Sequence, residues 1–87
     1  MDATGAEQFK RQLGMNFQPE GAAPELTLIK VEPQPIGFIL LFQGPAKPLL
    51  PEGQYDFTVD DGTAHMFHVM PIHTPMPGHQ DYQAVFN

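Results

Sequence analysis

Eighty-seven residues carry ten acidic side chains against four basic ones, a net charge of −6, with no cysteine and no serine. A chain of this size holds one domain with a modest core, and it can form no disulfide, thiolate metal site, cysteine nucleophile or serine hydrolase centre. Lys10, Arg11, Lys30 and Lys47 are scattered, so the clustered positive charge that nucleic acid or anionic headgroups need is missing, and neither is expected as a partner.

No stretch approaches the ~20 apolar residues of a membrane span. Residues 1–8 lack the basic start and apolar run of a signal peptide, so the expectation is a cytoplasmic protein. Ten prolines and eight glycines punctuate the apolar runs, which reads as the turns of a β protein.

Residues 4–14 carry a helix pattern. Thr4 and Glu7 match a capping box, Ala6, Phe9 and Leu13 share one face, Lys10 and Arg11 fall in the last turn, and Gly14 closes it. A helix this short is unstable alone, so Phe9 and Leu13 are expected to plug one end of a sheet. Strands follow at 15–18 and 25–32. In the second, Leu26 and Leu28 face one way and Ile29 and Val31 the other, which predicts a bulge or a strand covered on both sides midway.

The apolar run 37–43 reads as a central strand buried on both faces, and 54–60 as a half-buried neighbour with Tyr55, Phe57 and Val59 inward. Between them Pro45, Pro48 and Pro51 stiffen a loop in which Leu49 and Leu50 fold back as a lid. The polyproline spacing there also suits a partner-binding loop. Asp61-Gly62 marks a hairpin into strand 63–70. A two-residue turn would send Ala64, Met66 and His68 inward, a three-residue turn His65, Phe67 and Val69; the Asp-Gly preference favours the first. Residues 71–79 read as a loop and 81–86 as the last strand, with Tyr82, Ala84 and Phe86 on one face. The chain is therefore expected to be one mainly β domain over 1–87. It should be a small antiparallel barrel of about six strands with one N-terminal helix, an open barrel or two-sheet sandwich being the alternative.

The sequence Phe42-Gln43-Gly44-Pro45-Ala46 leads to Leu50-Pro51-Glu52-Gly53-Gln54-Tyr55, and the chain ends Tyr82-Gln83-Ala84-Val85-Phe86-Asn87. With the segment 67–72, these pieces resemble a family of short bacterial proteins classed as a domain of unknown function. The family pattern is a helix, a Leu-Thr-Leu strand, a Phe-x-Gly-Pro turn and a Tyr-x-Ala-Val-Phe-Asn terminus. His68 departs from it by standing where an aliphatic residue belongs, and 70–79 is longer and richer in Pro, Met and His. The resemblance brings no activity, substrate or cofactor. What it implies is an assembly role, associated with phage-tail-like components.

The sharpest candidate for chemistry is 65–79, where His65, Met66, His68, Met70, His73, Met76 and His79 gather imidazoles and thioethers that suit copper or zinc. His65 and His68 lie three apart, on opposite faces of a strand, so they cannot chelate together. The competing reading has methionines filling the core, His68 packed beside Tyr55, and the loop histidines in water. Asp60-Asp61 reads as a turn, since a calcium loop needs alternating oxygen ligands and a distal Glu. The phenylalanines read as core, because a base-stacking platform would need basic neighbours. No catalytic, cofactor-binding or metal-ligating residue is assigned and no cofactor is implied. The expectation is a non-enzymatic interaction or assembly module with a protein partner, either a monomer or a dimer through the edge of the final strand. Metal handling through 65–79 and a small-molecule carrier or enzyme near Tyr55 and His68 at a barrel mouth are the alternatives.

Overall fold

The computed structural model describes residues 3–21, 23–74 and 77–87, with side chains in the helix from Gly5 onward. Helix α1 (Ala3–Lys10) precedes six strands: β1 (Asn16–Pro19), β2 (Leu26–Pro33), β3 (Phe38–Pro45), β4 (Gly53–Val59), β5 (Ala64–Ile72) and β6 (His79–Phe86). All neighbours are antiparallel, and the strands close into a barrel in the order β1-β2-β3-β6-β5-β4. Open-barrel and sandwich alternatives fall away with that closure.

A ring of six strands is narrow, so its interior is filled by side chains. Phe17, Leu26, Leu28, Leu40, Phe42, Phe57, Val59, Phe67, Val69, Tyr82 and Ala84 supply them. Phe42 lies near-parallel to Phe57, with centroids 6.4 Å apart, and to Phe67 at 5.8 Å, while Phe57 and Phe67 stack at 4.5 Å. Phe17 meets this group edge-on from β1, 5.1 Å from Phe42. Each of these rings buries a large apolar area, and aromatic pairs add about 0.5–1.5 kcal/mol beyond it.

Several expectations change in detail. The helix is shorter than 4–14, and Thr4, the residue assigned to its cap, has its side chain outside those described. After Lys10 the chain tightens: Gln12 N–H donates to Phe9 O at 2.9 Å and Leu13 N–H to Lys10 O at 3.4 Å, a three-residue repeat. That repeat turns Gln12 inward toward Asp61 and His65, so Gln12 is buried at 2 % exposure and Leu13 turns out at 46 %. The β2 bulge is present between Leu28 and Lys30, putting Ile29 outside and returning Val31 to the core. Strand β3 is not buried on both faces. Leu40, Phe42 and Gly44 point in, whereas Ile39 and Leu41 are half-buried on the outer face, because a barrel covers only one side of each strand. Nor is β4 the neighbour of β3; β2 and β6 are, and the aromatic rings of β3 and β4 meet across the interior.

The β4–β5 hairpin takes the three-residue turn. Val59 N–H donates to Thr63 O, Gly62 N–H donates to Val59 O, both at 2.8 Å, and Gly62 adopts φ 89°, the left-handed position such a turn requires. The register pairs Phe57 with His65 and Tyr55 with Phe67, so His65, Phe67 and Val69 face inward and Met66 and His68 outward. Strand β5 runs on through Pro71 to Ile72 and β6 starts at His79, which shortens the loop expected at 71–79 to 73–78. Gly44 also has a steric role: a Cβ there would stand 2.7 Å from Leu26 Cδ2 and 3.4 Å from Tyr82 Cε1.

Truncating the central ring should cost most. Phe42→Ala is expected to lower the unfolding free energy by about 3–5 kcal/mol, measured by urea denaturation. A loss under about 1 kcal/mol would mean that Phe42 does not hold the barrel interior.

Candidate functional site

The antiparallel ring sorts the loops into two ends. Loops 20–25, 46–52 and 73–78 leave one end, and the turns 11–15, 34–37 and 60–63 lie with α1 at the other.

At the helix end, His65 is half-buried, its ring centroid 4.6 Å from that of Phe9 and near-parallel to Phe17 at 6.1 Å. Its Nε2 is 3.2 Å from Gln12 Oε1, and Gln12 Nε2 donates to Asp61 Oδ2 at 3.1 Å. Because the Gln12 amide nitrogen faces the carboxylate, its oxygen is left to accept, which selects the Nε2–H form of His65. Asp61 Oδ1 accepts the Thr63 N–H at 2.9 Å, and Asp60 Oδ2 accepts the Asn16 N–H at 2.8 Å. The adjacent carboxylates of the hairpin thus tie it to the helix turn and to β1. The Thr63 hydroxyl and N–H, then the Gln12 amide, hold Asp61 below its ordinary pKa. Burial lowers the pKa of His65, with the Asp61 charge opposing the shift.

At the loop end, Leu50 enters the barrel at 2 % exposure and donates its N–H to Tyr82 Oη at 2.9 Å. The Tyr55 hydroxyl donates to Pro51 O at 2.7 Å. The lid expected of Leu49 and Leu50 is therefore Leu50 alone, since Leu49 remains 50 % exposed. The polyproline spacing belongs to a segment anchored by these two tyrosines.

The Met/His segment is dispersed. His65 faces inward, and His68 projects outward to Glu52, with Nε2 3.0 Å from Oε2. Met66 is outside with its Sδ 2.8 Å from Gln54 Nε2, and Met70 Sδ is 3.6 Å from Gln83 Nε2. His73 is in the exposed loop, Met76 lies outside the described residues, and His79 Nε2 is 3.6 Å from Asp81 Oδ1. Among the described residues, no three His, Cys, Asp or Glu side chains come together as metal ligands would. The packed histidine is His65, not His68: the three-residue turn exchanges the two faces of β5. Tyr55 packs against the core, 6.2 Å from Phe57, so it and His68 do not share a mouth site.

Two polar features carried no clear pattern in the sequence. The first is Gln12, whose burial follows from a change of helical repeat. The second is the pair Glu20 and Asp56, joined through Asp56 N–H to Glu20 Oε1 and Glu20 N–H to Asp56 O, both at 2.9 Å. The neighbouring Glu20 carboxyl, through hydrogen bonding first, raises the pKa of Asp56 on this exposed surface.

The chain is thus a small closed antiparallel β-barrel sealed at one end by a helix and at the other by a leucine-bearing loop. A family model described as "Domain of unknown function (DUF6916)" matches residues 4–86, and the chain belongs to that family. No curated protein and no solved structure matches it.

The lowered pKa of His65 has a defined consequence. Its imidazole binds a proton less readily in the folded protein than at its ordinary value of 6.5, so stability should fall as pH drops through 6.5 and level off below the folded-state value. Thermal melts of the wild type and His65→Phe between pH 7.5 and 5 check this, the variant losing that slope. An unchanged slope in His65→Phe would assign the pH dependence elsewhere.

Proposed function

We propose that the protein is a non-catalytic interaction or assembly module that engages a protein partner through its loop end. The observation that carries this reading is that the connections after β3 and β5 both leave the same end of a barrel whose interior is filled by phenylalanines. A rigid ring presenting short anchored loops offers a preorganised surface, which lowers the entropic cost of binding. Leu49 stands 50 % exposed at the tip of the first loop although its neighbour Leu50 is buried, a candidate apolar anchor. Glu20, Glu25 and Glu52 surround that end against Lys47 alone, so the complementary partner surface is basic. The setting that suits such a module is cytoplasmic, as one component of a larger assembly of the phage-tail-associated kind.

Affinity purification with wild-type and Leu49→Asp baits tests the reading. One protein is expected to be retained stoichiometrically by the wild type and to lose affinity by about tenfold or more in the variant, roughly 1.4 kcal/mol. Equal retention by both baits would remove the loop end from the interface.

A further inference from the structure

Phe9 occupies a socket of five rings: His65 at 4.6 Å, Phe86 at 5.4 Å, Phe38 at 5.9 Å, Phe67 at 6.1 Å and Phe17 at 6.4 Å. The socket exists because β5 and β6 pair only near the loop end, Met70, Pro71 and Ile72 with Gln83, Tyr82 and Asp81. Below that, β5 pairs with β4 and β6 with β3, leaving Phe67 and Phe86 facing one another across the divergence at 5.6 Å. Phe9 fills the space they leave, and it is the one buried side chain among residues 5–10 of α1.

Helix α1 is eight residues long. Isolated helices under about 12–15 residues are marginal in water, so α1 is formed only while docked. The chain is pinned again directly after it, where Gly14 N–H donates to Leu28 O at 2.8 Å and Leu28 N–H to Met15 O at 3.1 Å. Between helix and pin run three residues, 11–13, whose backbone continues the helical turns; Arg11 and Leu13 are exposed, and Gln12 is the one whose side chain is bonded to the barrel. Segment 5–13 is therefore a tethered arm with one deep anchor, Phe9, and one polar latch, Gln12.

We propose that this protein self-associates by reciprocal exchange of α1, with Phe9 of each copy filling the five-ring socket of the other. The only occupant whose fit to the socket is demonstrated is this helix, and a second copy reproduces every contact it makes. The closed ring limits the competing route: β6 lies between β3 and β5, so it offers no complete free edge for strand pairing. Exchange creates a symmetric dimer at little cost beyond the rearranged link. The intact link holds α1 near its own socket at an effective concentration on the order of mM, which keeps the wild type monomeric when dilute. A link too short to reach its own socket shifts the balance to the partner's.

The test removes Arg11 and Leu13 from the full chain. Light scattering is expected to give twice the single-chain mass at micromolar concentration, and adding Phe9→Ala is expected to return it to one chain. A shortened chain that keeps its β-sheet circular dichroism and remains a single chain overturns the proposal. Should the shortened chain fail to fold, light scattering of the wild type and Phe9→Ala at millimolar chain concentration decides. An average mass that rises above one chain in the wild type and not in Phe9→Ala supports exchange, and one chain for both overturns it.

Discussion

The stack of Phe42 against Phe57 and Phe67 is the contact on which the barrel depends. Three strands that are not all neighbours in the sheet, β3, β4 and β5, send one ring each into the same layer, and Phe17 from β1 closes it edge-on. In a six-stranded ring, strand number and stagger define a narrow interior that side chains must fill. Large flat rings hold opposite walls apart at one spacing, and close packing leaves little tolerance for a smaller residue. The two ends are then closed by different means, an aromatic plug from α1 and a leucine from loop 46–52 bonded to Tyr82.

That arrangement places the titratable chemistry at ends and on the outer face. Asp60 and Asp61 satisfy backbone and amide donors, Glu52 meets His68 outside, and His65 is enclosed by rings and a glutamine. A buried glutamine is retained without cost only when both ends of its amide are bonded, and Gln12 has a donor partner and an acceptor partner from the same hairpin region. The polar chain at the helix end therefore fastens α1 to β4–β5 while the aromatic socket supplies its apolar anchor.

Much of the fold was legible in the sequence. Six strand-forming runs with short connections, the Leu28–Ile29 phase switch and the Asp-Gly turn all point to a bulged antiparallel barrel. The misreadings share a cause, since each depends on a contact distant along the chain. The length of the hairpin turn hinges on whether His65 or Met66 finds a place inside, and Phe9 and Phe17 decide that. Strand 37–43 has hydrophobic residues on both faces, and composition alone does not separate a two-faced layer from a barrel wall with a half-covered exterior. The burial of Gln12 requires the helix to tighten after Lys10, which no residue type there announces. For the candidate site, the cluster of Met and His in 65–79 is real in sequence but is divided by the pleat of β5, because alternate residues of a strand leave on opposite faces.

Closure of the ring around its phenylalanines is tested most directly by nuclear Overhauser spectroscopy. Ring-to-ring contacts from Phe42 to Phe57 and Phe67, together with backbone contacts between Gln18 and Thr58 where β1 meets β4, are expected in one spectrum. Absence of the β1–β4 contacts, with rapidly exchanging amides along β1, would show an open sheet and contradict the filled barrel.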